Sequence, residues 1–354
     1  MSRFRVIEHG FVCLLLLSLT VTQATWAQDT PWQTAKQEAV TRGIAWIRVA
    51  GASGELVNWS TSLAGLVLLG QHHTTGASAP LGYRYSSDQD QALLDNMARY
   101  VVDSVIQADP QLEDIRATAY GVSFLNQFLL TGGPDAVNAS VSVSQALRNG
   151  IMHLLAKQNT GNEHAACARG GWVLPNGTIA DLWYTHVVSS ALSSTLRNVS
   201  IQDLHVQIAE GLELTADLLR ATTLNGGGWA LRPCSDASIH LTSTAALLHL
   251  NTALNESSVE VQQRQSLSQL AQSLDLVSTT NENERYHEML WAILRMKQTL
   301  VSTLTAPPYF VWTPVRTPEA DGYSGETPSL EYDIHYTLMT QQNGDGTFPC
   351  QIDL

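Results

Sequence analysis

The chain has 354 residues and carries 19 Lys and Arg against 32 Asp and Glu, a formal net charge of −13. That balance repels phosphate backbones and anionic lipid, which argues against nucleic acid and a bare membrane surface as partners. Hydrophobic residues make up 44 %, too many for a chain that stays disordered and enough for a sizeable core.

The first segment opens with Arg3 and Arg5, runs through an apolar stretch from Phe11 to Leu19, and turns small and polar up to Ala27. This is the layout of a cleaved secretory signal, with an apolar core too short to span a bilayer as a helix. The expectation is therefore a signal peptide over 1–27, cleaved after Ala27, followed by one periplasmic or secreted domain over 28–354 without a transmembrane segment. Two basic residues and one acidic residue leave with the signal, so the mature net charge is near −14. Three cysteines stay, Cys167, Cys234 and Cys350; in an oxidising compartment an odd number points to one bridge and one leftover thiol.

Past the signal, five segments repeat one plan: an amphipathic helix, a polar or Gly-rich loop, then a helix apolar almost all round. In the second, Leu94, Met97, Val101 and Val105 fall on one face, with Asp95, Arg99 and Asp103 opposite. Leu147, Ile151, Leu154 and Leu155 repeat the stripe, as do Ile208, Leu212 and Leu219. The dry helices start near Thr61, Thr118, Thr185 and Thr242, spaced by 57, 67 and 57 residues, and a fifth runs from Glu288. They are rich in Ala, Gly and Ser, which lets helices approach closely. Half-wet and fully dry helices in alternation predict an all-α fold in two layers, an α/α toroid of about five to six hairpins with an inner barrel and an outer ring. A last amphipathic helix is expected near Leu330 to Gln342, after a Pro-rich excursion from Ala306 to Pro328.

The loops add a second signal. GGW occurs at Gly170 to Trp172, GGGW ends at Trp229 and GDGTF ends at Phe348, each after an amphipathic helix; Gln158 closes the first of these helices, and Gln341 and Gln342 the last. This pattern resembles the glutamine-to-tryptophan repeat of squalene cyclases and the related repeat of protein prenyltransferase β subunits, over about residues 33–350. The glycines turn the chain and the aromatic ring plugs the gap between hairpins, a structural role, so the resemblance implies the fold more than a reaction. It departs from both families at their chemistry. Cyclases that start by protonation use an Asp-x-Asp-Asp run; the nearest acids here are Asp88 and Asp90, read as solvated residues of a loop with no third acid. Prenyltransferase β subunits hold zinc with Asp, then Cys two residues on, then a distant His; here Cys234 precedes Asp236, with His240 beyond.

In a toroid, the starts of the inner helices line one opening. Trp59, Arg116, Asp181, Trp183, Tyr184, His240, Tyr286 and His287 occupy those starts, and aromatic, imidazole and carboxylate groups on a concave opening are the default ligand site. The same residues would equally serve as helix caps and rim packing. His164, Cys167, Cys234, Asp236 and His240 form a sharper set in adjacent loops: a Cys167–Cys234 disulfide, or zinc held by Cys167, Cys234 and His240. Three classes of function follow. The first is a protein that binds a small molecule, peptide, lipid or glycan at the mouth. The others are a zinc-dependent transferase-like enzyme and a secreted polysaccharide lyase or hydrolase using Arg116 or Arg232. No motif names a catalytic residue.

Overall fold

The computed structural model describes residues 30–54, 56, 58–70, 82–107, 115–161, 168–173, 180–222, 232–233, 316–328 and 330–347. Of these, 69 % are helical, and no strand occurs among them beyond an isolated antiparallel bridge between Val173 and Ala180. The all-α expectation therefore holds. No helix among the described residues is long and apolar enough to cross a membrane.

The helices are α1 (Pro31–Ser53), α2 (Trp59–Leu69), α3 (Asp88–Tyr100), α4 (Ile115–Leu130), α5 (Val143–Ala156), α6 (Leu182–Thr195), α7 (His205–Ala221) and α8 (Leu330–Gln341). Their ends follow from local chemistry. Thr30 caps α1 by accepting from Gln33 N, Pro31 supplies the fixed φ of a first helical residue, and Gly54 at φ 73 ends it. Ser87 caps α3 by accepting from Asp90 N, and α3 runs on into a π-helical turn at Val101–Ile106.

The two kinds of helix are as the periodicity predicts. On α3 and its extension Leu94, Met97, Val101 and Val105 are buried while Arg99 is exposed. Leu147, Ile151 and Leu154 are buried on α5, with Leu155 at the edge of the stripe, and Ile208, Leu212 and Leu219 on α7. By contrast α2 buries nine of its eleven residues, polar Ser60, Thr61 and Ser62 among them. A helix covered on all sides needs small residues where neighbours cross. Gly65 is one: the Phe124 ring of α4 occupies the space a Cβ there would fill.

Contacts divide the chain into two compact units. The first comprises Met1–Leu112, Tyr120–Gly150 and Pro314–Leu354; the second comprises Glu113–Ala119 and Ile151–Thr313. Within the first, α1 packs on α2, α3 and α8, and α2 on α3. Within the second, α6 packs on α7.

Asp88 and Asp90 require a correction. They lie in the first turn of α3, not in a loop, and Asp90 is fully buried. Its carboxylate is gripped by both arms of Arg48 from α1, Nε to Oδ1 and Nη2 to Oδ2, each at 2.7 Å. The Ser87 cap that starts the helix earlier is a local signal, whereas a partner 42 residues away escapes a local reading. This bidentate pair joins two helices and is not arranged as a proton donor.

Candidate functional site

Among the described residues of the second unit, Gln158 and the glycines near it form one connected hydrogen-bond network. Gln158, just past α5 and 7 % exposed, sends Nε2 to Gly170 O at 2.9 Å and to Gly211 O of α7 at 2.7 Å, with Thr215 Oγ1 at 3.2 Å. The following residue closes the loop: Asn159 N donates to Gly171 O and Gly170 N to Asn159 O. Gly170 has φ 92, and a Cβ on it would collide with the Leu214 carbonyl of α7. Trp172 is fully buried and donates its indole N–H to Leu154 O at 2.7 Å. Its ring plugs the core while its polar edge is satisfied, as expected. Thr185, one of the repeating threonines, accepts from Trp172 N at 3.1 Å and so ties the loop to α6.

The same device recurs in the first unit, at the other end of the chain. Gln342, just past α8, sends Nε2 to Gly346 O at 3.1 Å and to Ala39 O of α1 at 3.0 Å. Asn343 N donates to Thr347 O, and Gly346 N to Asn343 O. Gly346 has φ 90, and a Cβ there would collide with the Arg42 carbonyl. Position by position, Gln342, Asn343 and Gly346 do what Gln158, Asn159 and Gly170 do, and α1 takes the place of α7. The C-terminal loop thus holds α1 as the loop after α5 holds α7.

The sequence-predicted mouth residues fall as follows. Trp59 is the first residue of α2, half-buried, its ring 6.1 Å from that of half-buried Tyr120. Asn58 before it is exposed at φ 52; its backbone N–H donates to Tyr100 Oη at 3.1 Å, and its side chain makes no capping bond. Asn58 therefore starts the helix without capping it through its side chain. In the second unit Asp181 caps α6, accepting from Tyr184 N at 3.0 Å while its own N–H donates to Trp172 O. Tyr184 is half-buried, and Arg116 is half-buried at the second position of α4. Trp183 lies in α6, with its side chain outside the description, and Arg232 is exposed. Residues 1–27, His164, Cys167, Trp229, Cys234, Asp236, His240, Tyr286, His287, Phe348 and Cys350 lie outside the described residues. Among those described, no group of three potential metal-binding side chains forms.

One cluster has no counterpart in the sequence reading. Trp32 of α1 meets Tyr332 of α8 at 4.4 Å between centroids and Tyr323 edge-on at 4.9 Å. Tyr336 stacks on Tyr332 at 6.0 Å, and the Arg316 guanidinium lies 4.1 Å from the Tyr336 ring centroid. Tyr332 Oη donates to Asp321 at 3.2 Å, and burial followed by that carboxylate's charge pushes both the Tyr332 and Tyr336 hydroxyls up from the ordinary range. The spacing of Tyr332, His335 and Tyr336 on one helical face is the signal that marks it. Separately, a depression of about 340 Å³ lies along α1 at Thr34, Gln37, Glu38, Thr41 and Arg42; it shares no residue with the dry-helix starts.

No family model, curated protein or solved structure matches this chain significantly.

Proposed function

We propose that this is an exported α/α-toroid protein of the squalene-cyclase and prenyltransferase-β repeat type that binds a ligand where its dry helices begin. The toroid reading is supported by the two glutamine–glycine clasps with the same hydrogen-bond pattern, one of which joins the C-terminal loop to the N-terminal helix. The observation that carries ligand binding is the group at the start of α2. Trp59 and Tyr120 stay half-buried there, beside an exposed Asn58 in a left-handed conformation that non-glycine residues rarely hold. Aromatic faces left partly open next to a neutral amide suit an uncharged ligand of mixed polarity, a glycan or peptide above a polyanion. Asp181 and Tyr184 in the second unit combine this role with capping α6. The Cys167–Cys234 disulfide belongs to the same proposal, and denatured, unreduced mature protein should then show one reactive thiol.

The test is binding of the mature protein to immobilised glycan, lipid and peptide panels, followed by Trp59→Ala and Tyr120→Ala. Each substitution should weaken the captured ligand about tenfold or more, the effect of losing a partly buried aromatic contact, with little change in the unfolding temperature. Variants that unfold the protein, or that bind as the parent does, would make these rings packing residues. Stoichiometric zinc with three thiols titrating would replace this reading by the transferase-like enzyme.

A further inference from the structure

His335 sits on α8 with its side chain fully buried, and among the described residues neither ring nitrogen has a hydrogen-bond partner. Buried polar groups in folded proteins are nearly always bonded, and leaving one unbonded costs folding energy. Its neighbours define what the position does. The Trp32 ring of α1 lies 6.4 Å away, and one turn further along α1 the 8 %-exposed Lys36 holds its ammonium 5.6 Å from the Trp32 centroid. The Lys36 charge acts on the imidazole. The other charged groups of the cluster are engaged elsewhere: Asp333 Oδ1 accepts from Arg316 N at 3.2 Å, and Asp321 accepts from Tyr332 Oη and pairs with the Arg316 guanidinium at 3.6 Å. Among the described residues the imidazole thus has a cation near it and no bonded carboxylate, on the helix that packs against α1.

We propose that His335 is an acid-sensitive latch on the contact between α8 and α1: neutral, it seals the contact; protonated, it releases the C-terminal segment from the N-terminal helix. A proton added to either ring nitrogen creates a cation without a bonded counter-ion, facing Lys36, and water reaches it only when the two helices part. Burial first, then Lys36, brings the pKa of this imidazole down to about 3. Since that value is depressed relative to the open chain, where a histidine titrates near 6.5, the latch contributes fully above about 6.5. It is lost as the pH falls from there towards 3, because only the open form takes the proton. Between pH 7.5 and 4.5 the opening equilibrium should rise on the order of 100-fold.

Hydrogen exchange of the mature protein, corrected for the intrinsic effect of pH, reads this opening in peptides covering 31–53 and 330–347. Both segments should lose protection together below about pH 6.5. His335→Phe, which cannot take a proton, should abolish that loss, and Lys36→Met, which keeps the apolar stem, should leave its onset unchanged, since the open form sets that, while making the rise level off at a higher pH. Carbon-13 histidine spectra should show the His335 ring staying neutral until the segments open. The proposal is overturned if the His335→Phe variant opens at the same pH as the parent, or if the ring titrates near 6.5 with α1 and α8 still protected. Should that variant not fold at neutral pH, the His335 ring of the parent protein decides: its titration near 6.5 with both segments still protected rejects the latch.

Discussion

Gln158 shows how one side chain can set the geometry between a loop and a neighbouring helix. Its Nε2 has two hydrogens and three acceptors in reach; the two carbonyls at 2.7 and 2.9 Å take them, and Thr215 Oγ1 at 3.2 Å lies at the margin. Thr215 can afford this because its own hydroxyl reaches Gly170 O at 2.7 Å. One amide thus binds the loop that follows its helix and α7 together, inside a buried site where water cannot substitute. Gln158→Ala should cost about 1–3 kcal/mol, the usual penalty for stranding buried acceptors, with Thr215 keeping it from the top of that range. Gln158→Glu should cost more at neutral pH, since a carboxylate would face two carbonyl oxygens with no proton to offer. Burial would raise that carboxyl's value above the 4.3 or so of an exposed glutamate, so the stability it retains is present below that pH and lost as the pH rises. Thermal unfolding at pH 7 and pH 4.5, each relative to the parent protein, should show the glutamate variant closing the gap in acid. A gap that widens in acid would mean that the amide is not donating to these carbonyls.

Helix–helix packing depends on what small residues leave open, and α2 makes the competition quantitative. Gly65→Ala should gain up to about 1 kcal/mol of helix propensity. Against that, the new methyl would meet Phe124, a fully buried ring of α4, and overpacking of this kind costs about 1–3 kcal/mol. The net should be destabilising, and Phe124→Leu should partly rescue it, so the double variant is less damaged than the sum of the singles; strict additivity would show that the ring moves aside freely. The same element shows how far a sequence can be read. Periodicity separates α2 and α4 from α3, α5 and α7 because burial on one face or on all faces is written in the order of apolar residues. The Gln158–Gly170–Trp172 run is legible for the same reason: its parts are close in sequence. What escapes is long-range and polar. Arg48 meets Asp90 across 42 residues, and Gln342 meets Ala39 across 303, and no local pattern carries either. Of the site, Trp59 was found through its place at a helix start. Its proximity to Tyr120, and the burial of His335 against Trp32, depend on tertiary packing.

At the scale of the whole chain, the question is whether two compact units mean two independent folding units. The division runs through two helices: α4 is split after Ala119 and α5 after Gly150. The pieces left on the short sides are 115–119 and 151–156, and helices of five or six residues do not persist in water, because nucleation fixes several residues for the return of very few hydrogen bonds. Neither helix can therefore melt halfway without losing the remainder. The first unit is also built from stretches distant in sequence, with Thr30 bonded to Glu326 and Gln342 to Ala39, so its N-terminal helix is not complete until the C-terminal one is in place. Both facts tie the fate of each unit to the whole chain. The mature protein should unfold in one calorimetric transition whose van't Hoff and calorimetric enthalpies agree, and Gln342→Ala should lower that transition as a whole. Two resolved transitions, or a Gln342→Ala variant that loses only a minor early one, would show that the units fold apart.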